Sequence, residues 1–402
     1  MKRLANKISL AMEERRRLRS RAPFCIAVAD RFSQLNADAW VSVTRGGSFF
    51  HSANYQRMFE RVRPPNVEPR YALISDGDTP VATVCLQIVT LDHTHLGDTK
   101  RRRALRSLGS AMKTRVLVCG NLLVYGLHGV AAVPGVDREK VWHAVSEAVY
   151  RVRRAEKLAG STDIVLLKDF DVAARADSAV LRKLSYGVVE TEPNMVLAVN
   201  PAWRGYADYL SGLTSKYRSD IKNRVHKKFE DAGGTIEPLD DVAAHAGELQ
   251  ALYLQVHGNA GLRPFTVPAN YWPELCAASG SRVHVARRNG KIIGFIMSLL
   301  DGETAFAYHI GFDRAVAGEG VPIYLRLLHA SLAHAIENGA RRVSFGRTAL
   351  EPKARLGCRP EPTIVWARHR HPFLNQLLLP LLRLVEHDEP PDVETFKGDR
   401  SI

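Results

Sequence analysis

Residues 71–89 read Tyr-Ala-Leu-Ile-Ser-Asp-Gly-Asp-Thr-Pro-Val-Ala-Thr-Val-Cys-Leu-Gln-Ile-Val, two apolar strands around a turn at Asp76-Gly77. Residues 283–300 repeat the pattern: Val283-His284-Val285-Ala286, a turn at Asn289-Gly290, then an apolar run from Ile292 to Leu300. Asp-Gly and Asn-Gly supply the positive φ that tight hairpin turns require. Ala53-Asn54-Tyr55 precedes the first hairpin and Ala269-Asn270-Tyr271 the second.

Working outward, the order of elements repeats as well. After the first hairpin, Pro134-Gly135 leads into a helix expected over 137–158, closed by Gly160 and followed by a strand at Asp163–Leu167. After the second, Gly318-Glu319-Gly320 leads into a helix expected over 322–338, closed by Gly339 and followed by a strand at Arg342–Phe345. The glycines after the helices suit C-caps. Single hairpins and capped helices recur by chance, but four elements in matching order argue for an internal duplication. The expectation is an α/β (α+β) chain of two tandem units, each a mixed twisted sheet flanked by helices. The units span 25–200 and 201–385, with the boundary near 195–212 around Pro201 and an insertion at about 91–120. A basic segment, 1–24, precedes them and a tail, 386–402, follows.

Composition sets limits on function. The chain has 402 residues, 46% apolar and 24% charged, as in ordinary globular proteins of two or three domains. Its net charge of +14 favours anionic partners. Residues 1–22 carry eight Lys/Arg against Glu13 and Glu14, and Lys100-Arg101-Arg102-Arg103 with Arg106 forms a second run. A solvated face is the alternative reading of both. The five cysteines are scattered without CxxC spacing, which argues against a disulfide framework or a metal site and fits a reducing, cytoplasmic compartment. No apolar run has the length to span a bilayer. The stretch Phe373–Leu382 is short and broken by Pro380; it packs on the body or touches a membrane surface, and packing is the expectation.

Three further stretches carry a family resemblance: Ser215-Lys216-Tyr217-Arg218-Ser219-Asp220-Ile221-Lys222-Asn223-Arg224, Gly318-Glu319-Gly320 before a helix, and Ser344-Phe345-Gly346-Arg347-Thr348 followed by Lys353 and Gly357. Over roughly 210–375 the chain resembles the GNAT superfamily, and its tandem arrangement resembles the FemABX and FemAB-like, peptidoglycan-biosynthesis-type branch. The resemblance implies an acyl donor held at Gly318, Gly320 and Val321, where a helix start offers unpaired N–H groups to phosphate. The alternative is an ordinary tight turn. Pro322 suits the first turn of that helix.

Residues 213–229 are expected to form an amphipathic helix with Tyr217, Ile221 and Val225 facing the core. Lys216, Arg218, Lys222 and Arg224 then form a basic face, either a solvated surface or a binding site for the donor's anionic part. FemABX enzymes take their acyl group from aminoacyl-tRNA, so the resemblance admits either acyl-CoA or aminoacyl-tRNA as co-substrate, with no tightly bound cofactor.

Amide formation requires a base for the amine, donors for the oxyanion and a proton for the leaving group. The strand Ala305–Asp313 carries candidates. Alternation places Tyr308 and Ile310 on one face and His309, Gly311 and Asp313 on the other. His309 is a candidate base or a hydrogen-bonded histidine beside the sheet; Asp313 would orient it or bind the amine, and Tyr308 would protonate the leaving group. Arg347 and Lys353 follow the next strand. Strand ends in an open sheet are usual ligand sites, which makes Arg347 a candidate for donor binding, and by resemblance Lys353 lies near substrate; surface solvation is the alternative. In the first half, His128 is the polar residue with chemical capability, and no GxG opens the corresponding helix. The function expected is an N-acyltransferase or aminoacyltransferase acting on an amine of an amino acid, a peptidoglycan precursor or a specialised metabolite, with tRNA and a peripheral membrane as further partners. The alternative is a non-catalytic RNA- or membrane-surface-binding protein on a degenerate GNAT scaffold.

Overall fold

The computed structural model describes residues 22–95, 113–260, 263–383 and 389–398. The basic run Lys100–Arg103 with Arg106, and the basic segment up to residue 21, lie outside the described residues.

The N-terminal half runs β1 (Cys25–Ala29), α1 (Ala37–Thr44), α2 (Ala53–Val62), β2 (Val67–Asp76), β3 (Thr79–Leu91), β4 (Thr114–Cys119), β5 (Val130–Ala132), α3 (Arg138–Ala155), β6 (Thr162–Phe170), α4 (Val172–Asp177), α5 (Val180–Lys183) and β7 (Gly187–Ala198). The C-terminal half begins with α6 (Tyr206–Gly212) and α7 (Ser215–Asp220), followed by a π-helical segment (Ile221–Lys227) and α8 (Lys228–Asp231). It continues with β8 (Gly234–Pro238), α9 (Ala246–His257), α10 (Tyr271–Ser279), β9 (Arg282–Arg288), β10 (Lys291–Asp301), β11 (Thr304–Phe312) and α11 (Arg314–Gly318). The last elements are α12 (Ile323–Glu337), β12 (Arg342–Ser344), α13 (Leu350–Arg355), β13 (Arg359–His369) and α14 (Pro372–Arg383).

Both hairpins form. Asn289 and Gly290 have φ of 51° and 76°, the two left-handed residues of a mirror-image turn, and Arg288 pairs with Lys291. In the first hairpin Asp76 pairs with Thr79, so the pivot is Gly77-Asp78, with Gly77 at φ 57°. Asp137 caps α3 through Lys140 N.

All strands belong to one sheet, ordered β1-β2-β3-β4-β6-β13-β7-β12-β11-β10-β9-β8, with β5 beside β3. Two pairs are parallel, β4 with β6 and β11 with β12, one in each half. The halves exchange strands across the middle. β13, the last strand among the described residues, lies between β6 and β7 of the N-terminal half, while β7 lies between β13 and β12. Residues 359–369 therefore belong structurally to the N-terminal sheet, although they fall within the unit expected at 201–385. Part of the expected C-terminal tail is likewise docked. Phe396 bridges to Leu213 and packs in the C-terminal core, and Thr395 Oγ1 donates to the Ala354 carbonyl.

Three large apolar clusters hold the sheet. One packs α3, through Trp142 and Val145, on the N-terminal sheet. Another packs α6, α12 and the π-helical segment on one face of the C-terminal sheet. The third joins the halves: Phe50, Tyr55 and Phe59 meet Trp272, Phe295 and Phe306. Full burial of each such side chain contributes about 1.5–3 kcal/mol. Among the described residues no helix is long and apolar enough to cross a membrane. The stretch expected to pack on the body, α14, does so through Asn375, which bonds His369 N and the Ser185 carbonyl, but Phe373 is 71% exposed and Leu374 and Leu377 also face outward.

Candidate functional site

The site is set by where two parallel strands part. β11 and β12 pair only from Thr304–Arg342 to Phe306–Ser344; β12 then ends while β11 continues to Phe312. At that point β11 also bulges: Met297 opposes His309 and Ser298 opposes Ala307, leaving Tyr308 as the extra residue. A bulge resets alternation. Tyr308 therefore shares a face with His309 instead of Ile310, correcting the alternation expected from sequence. The two rings lie 4.2 Å apart.

That face looks towards α9 and α10. His309 is ringed by Tyr253, Tyr271, Trp272 and Tyr308, and its Nε2 is sealed without a partner. Burial pushes its pKa down to about 3, helped by His257, so the ring stays neutral, and among the described residues no carboxylate bonds to it. The Tyr308 hydroxyl bonds Tyr271 Oη at 2.8 Å, and burial drives it far above the ordinary phenol range. The Asp313 carboxylate is used locally: it caps α11, accepting from Ala315 N at 2.9 Å and Val316 N at 3.3 Å.

The residues after β12 are engaged as well. Arg347 reaches into the N-terminal half, donating to Asp169 Oδ1 at 2.6 Å and Thr363 Oγ1 at 2.8 Å, with its guanidinium over the Tyr125 ring. Asp169 is fully buried and also accepts from Lys168 Nζ at 2.5 Å and Gly126 N at 3.1 Å. Lys353 is buried, its ammonium donating to the carbonyls of Gly346 and Arg347 at 3.1 and 2.6 Å. It thereby pins a strained segment in which Gly346, Thr348 and Ala349 all have positive φ. Burial lowers the Lys353 pKa to about 8. Arg347 and Lys353 thus hold the halves and the loop together. Cys358 is buried, and burial pushes its thiol up, against nucleophilic use. His128 is also a tie between halves: Ser48 Oγ lies 2.9 Å from its Nδ1 and donates to Asp301 Oδ2 at 2.6 Å.

The opposite face of the C-terminal sheet holds an open pocket of about 520 Å³. Tyr217, Ile221 and Val225 from the basic helix form one wall; Tyr324, Leu325 and His329 of α12 form another; Pro352, Arg355 and Leu356 close the third. Gly318 ends α11, so the open loop is Glu319–Pro322, where Gly320 has φ 87° and lies beside Lys228, and Val321 is buried in the core under α12. Glu319 is neutralised by Arg288 at 2.6 Å. No side chain caps α12, whose first turn borders the pocket through Tyr324 and Leu325.

The basic helix spans 215–231 with the π-helical segment at its centre, and buries Ile221, Val225 and Phe229. Lys216, Lys222 and Arg224 are exposed and Arg218 is half-buried. Arg224 lines the pocket mouth and pairs with Asp220 at 3.3 Å; Arg355 pairs with Glu351 at 2.7 Å. The structure thus brings Arg224 together with α12 and separates them, across the sheet, from Tyr308 and His309. Sequence reasoning missed Tyr206, His226 and His329, which cluster beside the pocket. They come from positions too far apart for spacing to link them, and His329 sits in the apolar run of α12.

Comparison with known proteins agrees with this architecture. Residues 215–353 match the family model for the acetyltransferase (GNAT) domain. No curated protein matches the chain. The crystal structure of FemX aligns with a TM-score of 0.51 and 11% identity, covering 87% of this chain and 98% of that one. The C-terminal domain of a putative lysylphosphatidylglycerol synthetase from Agrobacterium fabrum aligns with a TM-score of 0.50 and 12% identity, covering 91% and 98%. At such identities the structural likeness concerns the fold. Residues 215–353 thus carry a GNAT acetyltransferase domain, and the chain as a whole shares its fold with FemX.

Proposed function

We propose that the C-terminal half moves an acyl or aminoacyl group from an activated donor to an amine by direct attack, with the donor's reactive arm in the pocket between the basic helix, α12 and α13. The observation that carries this is the pocket itself: about 520 Å³, with apolar walls from the basic helix, α12 and α13, and Arg224 at its mouth. Such a volume suits an acyl group with its linker. The donor's anionic remainder would lie over Lys216, Arg218, Lys222 and Arg224, with the open first turn of α12 beside it. No covalent enzyme intermediate is required: the amine loses a proton, the oxyanion is held by N–H donors, and the thiolate or hydroxyl leaves protonated.

An exposed cationic face next to an apolar pocket fits acyl-CoA or aminoacyl-tRNA, in the reducing compartment that five free cysteines suit. Acetyl-CoA and aminoacyl-tRNA, each added to the full chain, are expected to separate the two donors by the rise in melting temperature. Replacing Lys216, Lys222 and Arg224 by Ala should lower tRNA affinity and flatten its salt dependence, the slope falling by roughly 0.7–0.9 for each phosphate that is no longer neutralised. No protection by either donor, with salt-sensitive RNA binding retained, would leave a non-catalytic RNA-binding protein as the better reading.

A further inference from the structure

His329, on the buried face of α12, is 2% exposed yet lines the pocket. Its Nδ1 lies 2.7 Å from Tyr206 Oη, and the same oxygen lies 2.9 Å from Nε2 of His226. His226 belongs to the π-helical segment and is only half-buried. Segments of π-helix are rare and gather at functional sites. Here the wide turn keeps Val225 in the core while the adjacent His226 also turns inward to Tyr206. The three side chains form a row from pocket wall to surface.

Proton counting constrains this row. A phenol has one proton and two imidazole nitrogens share its oxygen, so one imidazole must donate to it. Burial pushes the His226 pKa down to about 4 and holds that of His329 well below the ordinary imidazole value, the Arg326 guanidinium adding to both. Burial also lifts the Tyr206 phenol. All three groups are neutral near pH 7, and each imidazole carries one N–H. Two arrangements satisfy every bond. In one, His329 Nδ1–H donates to Tyr206, Tyr206 donates to His226 Nε2, and His329 Nε2 is bare. In the other, His226 Nε2–H donates to Tyr206, Tyr206 donates to His329 Nδ1, and His329 Nε2 carries the proton.

We propose that His329, Tyr206 and His226 form a proton relay between the pocket and solvent, with His329 Nε2 receiving the proton lost by the attacking amine. As that N–H bond forms, His329 Nδ1–H passes its proton to Tyr206 Oη, the phenol proton passes to His226 Nε2, and His226 Nδ1–H releases one to solvent. The reverse sequence returns a proton to the departing thiolate or hydroxyl, so protons balance over the cycle. No charge rests on a buried ring. This rests on the pocket being where transfer occurs; His329 is then a catalytic residue, and Tyr206 and His226 position and relay.

The relay requires both histidines to hold the same tautomer, Nε2–H together or Nδ1–H together. Nitrogen-15 histidine spectra of the full chain at pH 7 should show this, and Tyr206→Phe should uncouple the two rings. Opposite tautomers, or an imidazolium at either ring, would overturn the proposal without any donor being present. With acetyl-CoA or aminoacyl-tRNA, whichever protects the wild type, Tyr206→Phe should reduce single-turnover transfer about 10²-fold, the low end for general acid–base catalysis. It should also remove the multi-proton component of the solvent isotope effect and leave donor protection unchanged. A Tyr206→Phe chain that keeps both the wild-type rate and isotope effect refutes the relay. Absence of donor protection in the wild type refutes the donor assignment alone, and the tautomer measurement still decides the proton geometry.

Discussion

Replacing Asp169 by Asn tests what holds the two halves in register. The Asp169 carboxylate has no exposure, whereas its partners Lys168 and Arg347 are 12% and 17% exposed, so the change leaves two nearly buried cations facing a neutral amide. Removing one partner of such a group costs about 3–5 kcal/mol, a large fraction of a typical stability of about 5–15 kcal/mol. Urea unfolding followed by tryptophan fluorescence should show a lower midpoint with an unchanged slope. Adding Arg347→Met should recover part of the loss, because it removes one stranded charge. The pH dependence has a definite sign. Burial alone would raise the Asp169 pKa; Lys168, Arg347 and the Gly126 N–H outweigh it and hold the carboxyl below the usual range. A depressed folded-state value means the contribution is complete above the unfolded value of about 3.9 and is lost as pH falls below it. The gap between wild type and Asp169→Asn should stay constant from about pH 8 to 5 and close only in acid. A gap under about 1 kcal/mol at pH 7, typical of an exposed ion pair, would refute the reasoning.

Two further outcomes follow from the loop after β12. Gly346→Ala places a Cβ against the Tyr125 ring at a backbone φ of 71°, and should lower stability by more than about 1 kcal/mol, with partial relief from Tyr125→Ala in a thermal melt. Lys353, held at about pKa 8 by burial, binds fewer protons folded than unfolded between about pH 8 and 10.4, so the stability of the wild type relative to Lys353→Met should rise with pH across that window; parallel curves would contradict it.

The duplication was legible because hairpins and capped helices are local. Asn289-Gly290 dictates its own turn, Gly339 ends α12, and Ile221 and Val225 mark the buried stripe of the basic helix. The strand exchange was not legible, since nothing in residues 359–369 records that they pair with residues 164–170. The face of Tyr308 was misread because one extra residue in β11, opposite Met297 and Ser298, resets alternation. Asp313 looked chemical in one dimension, but three dimensions show a helix cap. Arg347 and Lys353 looked like ligands, yet their partners, Asp169 and two carbonyls, come from a strand 178 residues away and from their own loop. Tyr206, His226 and His329 could be joined only by folding α6, the π-helical segment and α12 together.

The exchange of β7 and β13 shapes how the nascent chain acquires its structure. As it leaves the ribosome, the N-terminal half carries β6 and β7 with the place between them empty. That vacancy is filled only when residues 359–369, much further along the chain, emerge and thread in. Until then two strand edges in the middle of the future sheet are open to other chains. A premature stop just before Arg359 would remove a central strand rather than trim a border, so truncated products should be taken up by chaperones or proteases instead of persisting as a free half.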